Sequence, residues 1–241
     1  MAKLEEDNIY GLIQNLLGKG HEISILQEVI DVDIQLAYFE HLHQHGKALL
    51  PEELAEVEET LNDSTTDIDE LRNCLVCLAI TPEVKAYRIL EKYAASVQEE
   101  IRSWAIMAFQ ESRVHLQSSL DEQPHALISS GMGGVGHRLR YFVVIQPTTT
   151  SLFSAIQQEV LEKELNFSLN KADSLLENIN YYDGFSCLTV LIPLQVSLPN
   201  LFNEIIESCN LLGSFLSDKM IITNVKMLGE EEVRSILAKK E

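Results

Sequence analysis

Between positions 131 and 140 the chain reads Gly-Met-Gly-Gly-Val-Gly-His-Arg-Leu-Arg. Four glycines in six residues open backbone shapes closed to other residues, including concave nests whose amides hold an anion. His137, Arg138 and Arg140 follow directly, and no Asp or Glu occurs from Gln123 to Gln158. A phosphate or carboxylate would meet its most favourable potential here. No Gly-Lys-Ser/Thr follows, so this is not a Walker loop, and a strand-like run follows the glycines instead of preceding them, so it is not a dinucleotide loop. The candidate anion-contacting residues are Gly133, Gly134, Gly136, His137, Arg138 and Arg140. Ser197 joins them at the start of a helix whose first amides attract negative charge. The competing reading makes the stretch a hinge whose arginines pair with the acidic N-terminal half.

Other spacings carry less chemistry. His41 and His45 stand four apart, which suits two zinc imidazoles, but no further ligand is signalled beside them; a solvated last helical turn explains them as well. Cys74 and Cys77 have C-x-x-C spacing inside an apolar helical run, without a second pair, and read as core. Glu52, Glu53, Glu56, Glu58 and Glu59 crowd one short segment and read as a solvated face. Ser129 and Ser130 precede the glycines without a Gly-x-Ser-x-Gly frame or an assignable His/Asp partner. No catalytic residue, metal site or cofactor is expected.

Composition narrows the partners. The formal net charge is −19 over 241 residues. Most of it lies in residues 1–125, at −15, against −4 for residues 126–241. Such a surface repels phosphate backbones and anionic membrane, so neither nucleic acid nor membrane is an expected partner. Tyr141 and Phe142 could stack bases on a sheet, but the acidic balance argues against that use. The first residues lack an apolar signal region, no apolar run is long enough to span a bilayer, and the four cysteines read as reduced thiols. A cytoplasmic location is expected.

The elements that must position these residues fall into two halves. Residues 1–124 are expected to be all-helical, as helical hairpins or an irregular bundle. Leu4, Ile9, Leu12, Ile13 and Leu16 form a helical stripe; a second helix is expected from Glu22 to Gln44, ended by Gly46. Pro51 opens a third helix and Thr66, with Asp69 three residues on, a fourth. Thr81-Pro82 starts a fifth, and Val97 to Leu120 forms a sixth, stopped by Pro124. The pair Pro82–Leu90 and Glu99–Ala105 resembles a HEAT-type repeat, which implies a protein-binding scaffold.

Residues 125–137 are expected to be a glycine-rich linker and 138–241 an α+β domain. Leu139–Ile145 alternates like a strand, and Thr148–Ser151 caps a helix containing Phe153, Ile156 and Leu161. A strand from Ser174 to Tyr182 meets another, Phe185–Leu194, through Asp183-Gly184, the strongest hairpin signal in the chain. Ser197 caps the next helix, Met220–Leu228 is a fourth strand, and Glu230–Lys239 closes the chain. The order β-α-β-β-α-β, with an extra terminal helix, resembles the ferredoxin-like fold. In the first strand, Arg138, Arg140, Phe142 and Val144 share one face, and Leu139, Tyr141, Val143 and Ile145 the other. Apolar residues on both faces demand a cover on each, from the closing helix, the N-terminal helices or a second subunit.

The function expected is non-enzymatic: an interaction or regulatory protein whose acidic helical scaffold meets a basic protein partner. Its α+β domain would associate, including with itself, or sense a ligand. The alternative is an enzyme or sensor binding a phosphorylated or carboxylated small molecule at the glycine-rich loop.

Overall fold

The computed structural model describes residue 18 and residues 22–121, 124–149 and 152–239. The expected stripe from Leu4 to Leu16 lies outside these, as do Thr150 and Ser151 of the cap expected at Thr148–Ser151; the helix is capped further on, by Ser154. The chain is a mixed α+β protein with eight helices and a curled antiparallel sheet among the described residues. It divides into two compact units. One contains residues 22–26 and Ile30–Ser129, the other Gln27–Val29 and residues from Ser130 onward.

The first unit departs from the all-helical expectation at its outset. Strand β1 (Glu22–Ile25) pairs in parallel with β2 (His125–Ile128), from Glu22↔His125 to Ile25↔Ile128. The alternating Ile23 and Ile25 suit a strand. Asp31 then starts helix α1 (Val32–His45), ten residues later than the helical periodicity suggests, because its carboxylate accepts the Asp33 amide at 2.8 Å. β2 also shows that residues 125–137 are not a plain linker.

Four more helices follow: α2 (Leu54–Asn62), α3 (Ile68–Ala79), α4 (Val84–Ser96) and α5 (Glu99–Asp121). Asp67, not Thr66, caps α3, accepting from the amides of Asp69 and Glu70. A single core joins them. Tyr38, Leu75, Leu78, Leu90 and Met107 are fully buried, and Trp104 stands edge-on to Tyr38 at 5.5 Å. Each large apolar side chain so buried contributes about 2 kcal/mol through the hydrophobic effect.

The second unit is built on β4 (Arg138–Pro147), with the short β3 (Gly134–Val135) before it. Helix α6 (Ala155–Lys171) leads to the β5 (Leu175–Tyr182) and β6 (Phe185–Pro193) hairpin. Helix α7 (Leu198–Leu211), β7 (Leu216–Thr223) and α8 (Glu230–Ala238) complete it. All pairings are antiparallel. β4 pairs β6 from Arg138↔Pro193 to Ile145↔Ser186, and β7 from Phe142↔Thr223 to Pro147↔Leu216; β5 lies outside β6.

Ser154 caps α6 with a reciprocal box, its hydroxyl accepting the Gln157 amide and Gln157 returning an acceptor to the Ser154 amide. Such a box is worth about 1 kcal/mol. β7 begins four residues before the expected Met220, because Asn210 holds both the amide and the carbonyl of Leu216. At the hairpin tip Gly184 alone takes a positive φ, +86°, and Tyr182 pairs Phe185 across it.

Both sheet faces are covered. Val143, Ile145, Leu188, Val190 and Ile192 pack with Leu161 and Leu165 of α6 and Phe202 and Ile205 of α7. On the other face Phe142, Val144, Phe185 and Cys187 pack with Met132 and with Val233 of α8. Arg234 of α8 lies 5.1 Å over the Phe185 ring and donates to the Asp183 carbonyl at 3.2 Å, fixing the closing helix to the hairpin. Every residue of β6 is buried, as expected of a strand covered on both sides.

Candidate functional site: the glycine-rich loop and the charged sheet face

The glycine-rich loop is folded onto its own unit. The Met132 amide donates to the Asn224 carbonyl, the Gly133 amide to Ser130, and the Arg140 amide to Gly133. Gly133 has φ +62°, and a Cβ there would stand 2.5 Å from the carbonyl oxygens of Gln27 and Glu28. Its glycine is required by that close backbone approach as well as by its conformation. Gly136, also at φ +62°, opens the two-residue turn between β3 and β4, with His137 second. That is the glycine position of a type II′ hairpin turn. The Gly136 amide donates to Gln27 Oε1 at 2.9 Å. Three of the amides an anion could use, those of Met132, Gly133 and Gly136, thus donate to protein oxygens.

The cations beside the loop are engaged too. His137 Nε2 is 2.8 Å from Asp173 Oδ2. Arg138 donates from Nη2 to Asp173 Oδ1 at 2.5 Å and from Nε to the Asp173 carbonyl at 2.6 Å. Hydrogen bonds from His137, then from Arg138, hold the Asp173 carboxyl below its ordinary value. Asp173 itself has φ +51°, just past the end of α6, where glycine or asparagine usually sits.

Arg140 grips Glu177 in a two-pronged ion pair, Nε to Oε2 at 2.6 Å and Nη2 to Oε1 at 2.9 Å, while Nη1 donates to the Met132 carbonyl at 2.8 Å. Glu177 sits where the β5–β6 register shifts between Leu176 and Asn178, so it is the extra residue of a bulge. Bulges re-aim side chains, and this one turns a carboxylate towards the guanidinium. The pairing raises the Arg140 pKa further above its already high value. Ser197 is the N-terminal boundary residue of α7, but its side chain makes no capping bond. It follows Pro193, the register partner of Arg138, by four residues.

The sequence singled out the cations but not Asp173 and Glu177. The hinge reading places their partners in the acidic N-terminal half, whereas the partners belong to the same unit as the arginines. The readable signal was the strand order: with β6 between β4 and β5, an acid on β5 faces the arginines across one strand.

The other motifs lie at the margin of the helical core: His41, Cys74 and Cys77 are half-buried and His45 is exposed. His41 Nε2 is 2.8 Å from Asn73 Oδ1, and its ring stands edge-on to Trp104 at 5.4 Å and 4.4 Å from the His45 ring. No cluster of three or more His, Cys, Asp and Glu suited to a metal occurs among the described residues. Burial pushes the thiols of Cys74 and Cys187 up to about 11 and that of Cys209 to about 12, away from nucleophilic thiolate. None of the described helices is long and apolar enough to cross a membrane.

Two surface features complete the inventory. Where Gln146 of β4 lies opposite Ser217, Asp218 and Lys219 of β7, at the register shift, there is a cleft of about 520 Å³ with a mixed polar and apolar lining. In the helical unit, residues 48–71 hold nine Asp and Glu and no Lys or Arg. Glu52, Glu56, Glu59, Asp63, Asp69 and Glu70 are exposed there. Among the described residues two cations touch this run, Arg72 on Asp69 at 2.9 Å and Lys92 near Glu58 at 3.9 Å.

Compared with protein-family models the chain matches none, and comparison with curated proteins finds no similar sequence.

Proposed function

We propose that this chain is a non-enzymatic interaction or regulatory protein whose helical unit presents an acidic surface to a basic protein partner, and whose α+β unit associates or senses a ligand. The observation that carries this reading is the run of exposed carboxylates on α2, α3 and the turn between them, in a segment, residues 48–71, that holds nine acids and no Lys or Arg. Such a surface steers a cationic partner and raises its association rate. We read the α+β unit as ferredoxin-like; the pairing of β4 with both β6 and β7, and two helices packed on one face, support that. The alternative, a small anion at the glycine-rich loop, is less favoured because Arg138 and Arg140 would first have to leave Asp173 and Glu177.

The test uses a lysine-rich peptide and an acidic peptide of equal length. The chain should bind the first alone, with affinity falling as salt rises. Substituting Glu52, Glu56, Glu59 and Glu70 together by Gln should weaken that binding by about tenfold or more. Unchanged affinity in the variant, or binding indifferent to salt, defeats the reading.

A further inference from the structure

Helix α6 leaves large apolar side chains in solvent. Ile156 is 75% exposed and Phe167 is 67% exposed. They are eleven residues apart, about three turns, which returns them to within about 20° of each other around the helix. Glu159 and Lys163 lie on the same outward face between them, joined as an i, i+4 ion pair at 2.6 Å. The buried side of α6, with Leu161, Leu165 and Leu169, is already committed to the sheet.

The pattern is complementary to itself. Ile156 and Phe167 lie equally far on either side of the midpoint between Leu161 and Glu162, about 8 Å along the axis. The anion, Glu159, stands before that midpoint and the cation, Lys163, after it. Two copies of α6 laid antiparallel about a two-fold axis there would set Ile156 of each against Phe167 of the other. Glu159 of each would meet Lys163 of the other. An isologous interface needs this kind of self-matching surface.

We propose that the chain forms a two-fold dimer through the outer face of α6, its occupant being a second copy of the chain. This deepens the associating role proposed for the α+β unit and is independent of the acidic surface on the helical one. The face is a single helix with two apolar side chains, so the dimer should be weak, with a dissociation constant on the order of 1–100 μM.

Analytical ultracentrifugation of the full chain tests it. The wild type should pass from monomer to dimer with concentration. Phe167→Ser and Lys163→Glu should each weaken dimerisation about tenfold or more, with unchanged circular dichroism and melting temperature, since both residues are exposed. Combining Glu159→Lys with Lys163→Glu should restore the dimer, because the exchanged charges match again across the axis. A wild type that stays monomeric to about 0.5 mM overturns the proposal and leaves the face to a different protein. A dimer unaffected by Phe167→Ser, a charge exchange that fails to restore it, or a mass above dimer also overturns it. Loss of peptide binding at the acidic surface with the dimer intact would sink only the earlier reading.

Discussion

Arg140 of β4 and Glu177 of β5 meet across the intervening strand β6, in a two-pronged ion pair that depends on Glu177 being the extra residue of a bulge. The Arg140 side chain is largely shielded, at 19% exposure, while Glu177 sits on an exposed stretch of β5 with its side chain 29% exposed. Arg140 also holds the glycine-rich loop through the Met132 carbonyl. The pair therefore joins the sheet's edge hairpin to the loop.

Removing both members should cost less than the sum of removing each alone. Glu177→Leu leaves a shielded guanidinium without its carboxylate and should destabilise the fold by about 2 kcal/mol. Arg140→Met should cost a similar amount, since it also strands the Met132 carbonyl. The double variant should cost clearly less than the two together. Urea denaturation of all four proteins gives the coupling energy; strict additivity would show that the pair does not act as a unit.

Glycines of one loop should differ sharply in tolerance. Gly133→Ala meets both a positive φ and the carbonyls of Gln27 and Glu28 at 2.5 Å, and should destabilise by more than about 2 kcal/mol. Gly136→Ala has the same φ but nothing within 4 Å, so only the conformational cost of about 1 kcal/mol applies. Equal losses in thermal denaturation would contradict the role given to Gln27 and Glu28.

Two ionisable groups should shape stability with opposite dependence on pH. The Asp173 carboxyl is held below its ordinary value of 3.8 by His137 and Arg138. Its contribution is therefore full above that value and is lost as pH falls through the lowered one. Asp173→Asn keeps a side chain suited to positive φ and should flatten the acid limb. His115 is raised from 6.5, first by its hydrogen bond with Glu111. Its contribution is full below 6.5 and fades as pH rises through the raised value, so His115→Gln should flatten that limb. Melting temperatures across the pH range check both signs.

What the chain disclosed in advance was what its local chemistry determines. Asp183-Gly184 marked a hairpin because only a residue such as glycine accepts the φ at its tip. The double-sided apolar alternation of β4 demanded two covers, and α8 supplies one of them. What stayed hidden depends on partners distant in sequence. β1 is four residues long and is stabilised by β2, about a hundred residues away. Asp173 and Glu177 gain meaning only from an unusual φ and a bulge, which no composition announces. The arginines therefore looked available when they were not.

Tyr38 supplies a last test, in the helical unit. It is fully buried beside Trp104, yet its hydroxyl has no hydrogen-bond partner among the described residues. Burial, with Glu111 nearby, raises its pKa well above 10.0, so the phenol stays neutral and un-ionised. An unpaired buried hydroxyl costs free energy that a hydrogen atom in its place does not. Tyr38→Phe should therefore be neutral or stabilising, by up to about 1 kcal/mol, whereas Tyr38→Ala should cost about 3–5 kcal/mol through the cavity left against Trp104. Trp104 is the chain's one tryptophan, so its fluorescence follows unfolding of this unit directly. A clear loss of stability in Tyr38→Phe would mean that the hydroxyl is engaged after all, by a water or a partner group, and would turn attention to this corner of the helical core.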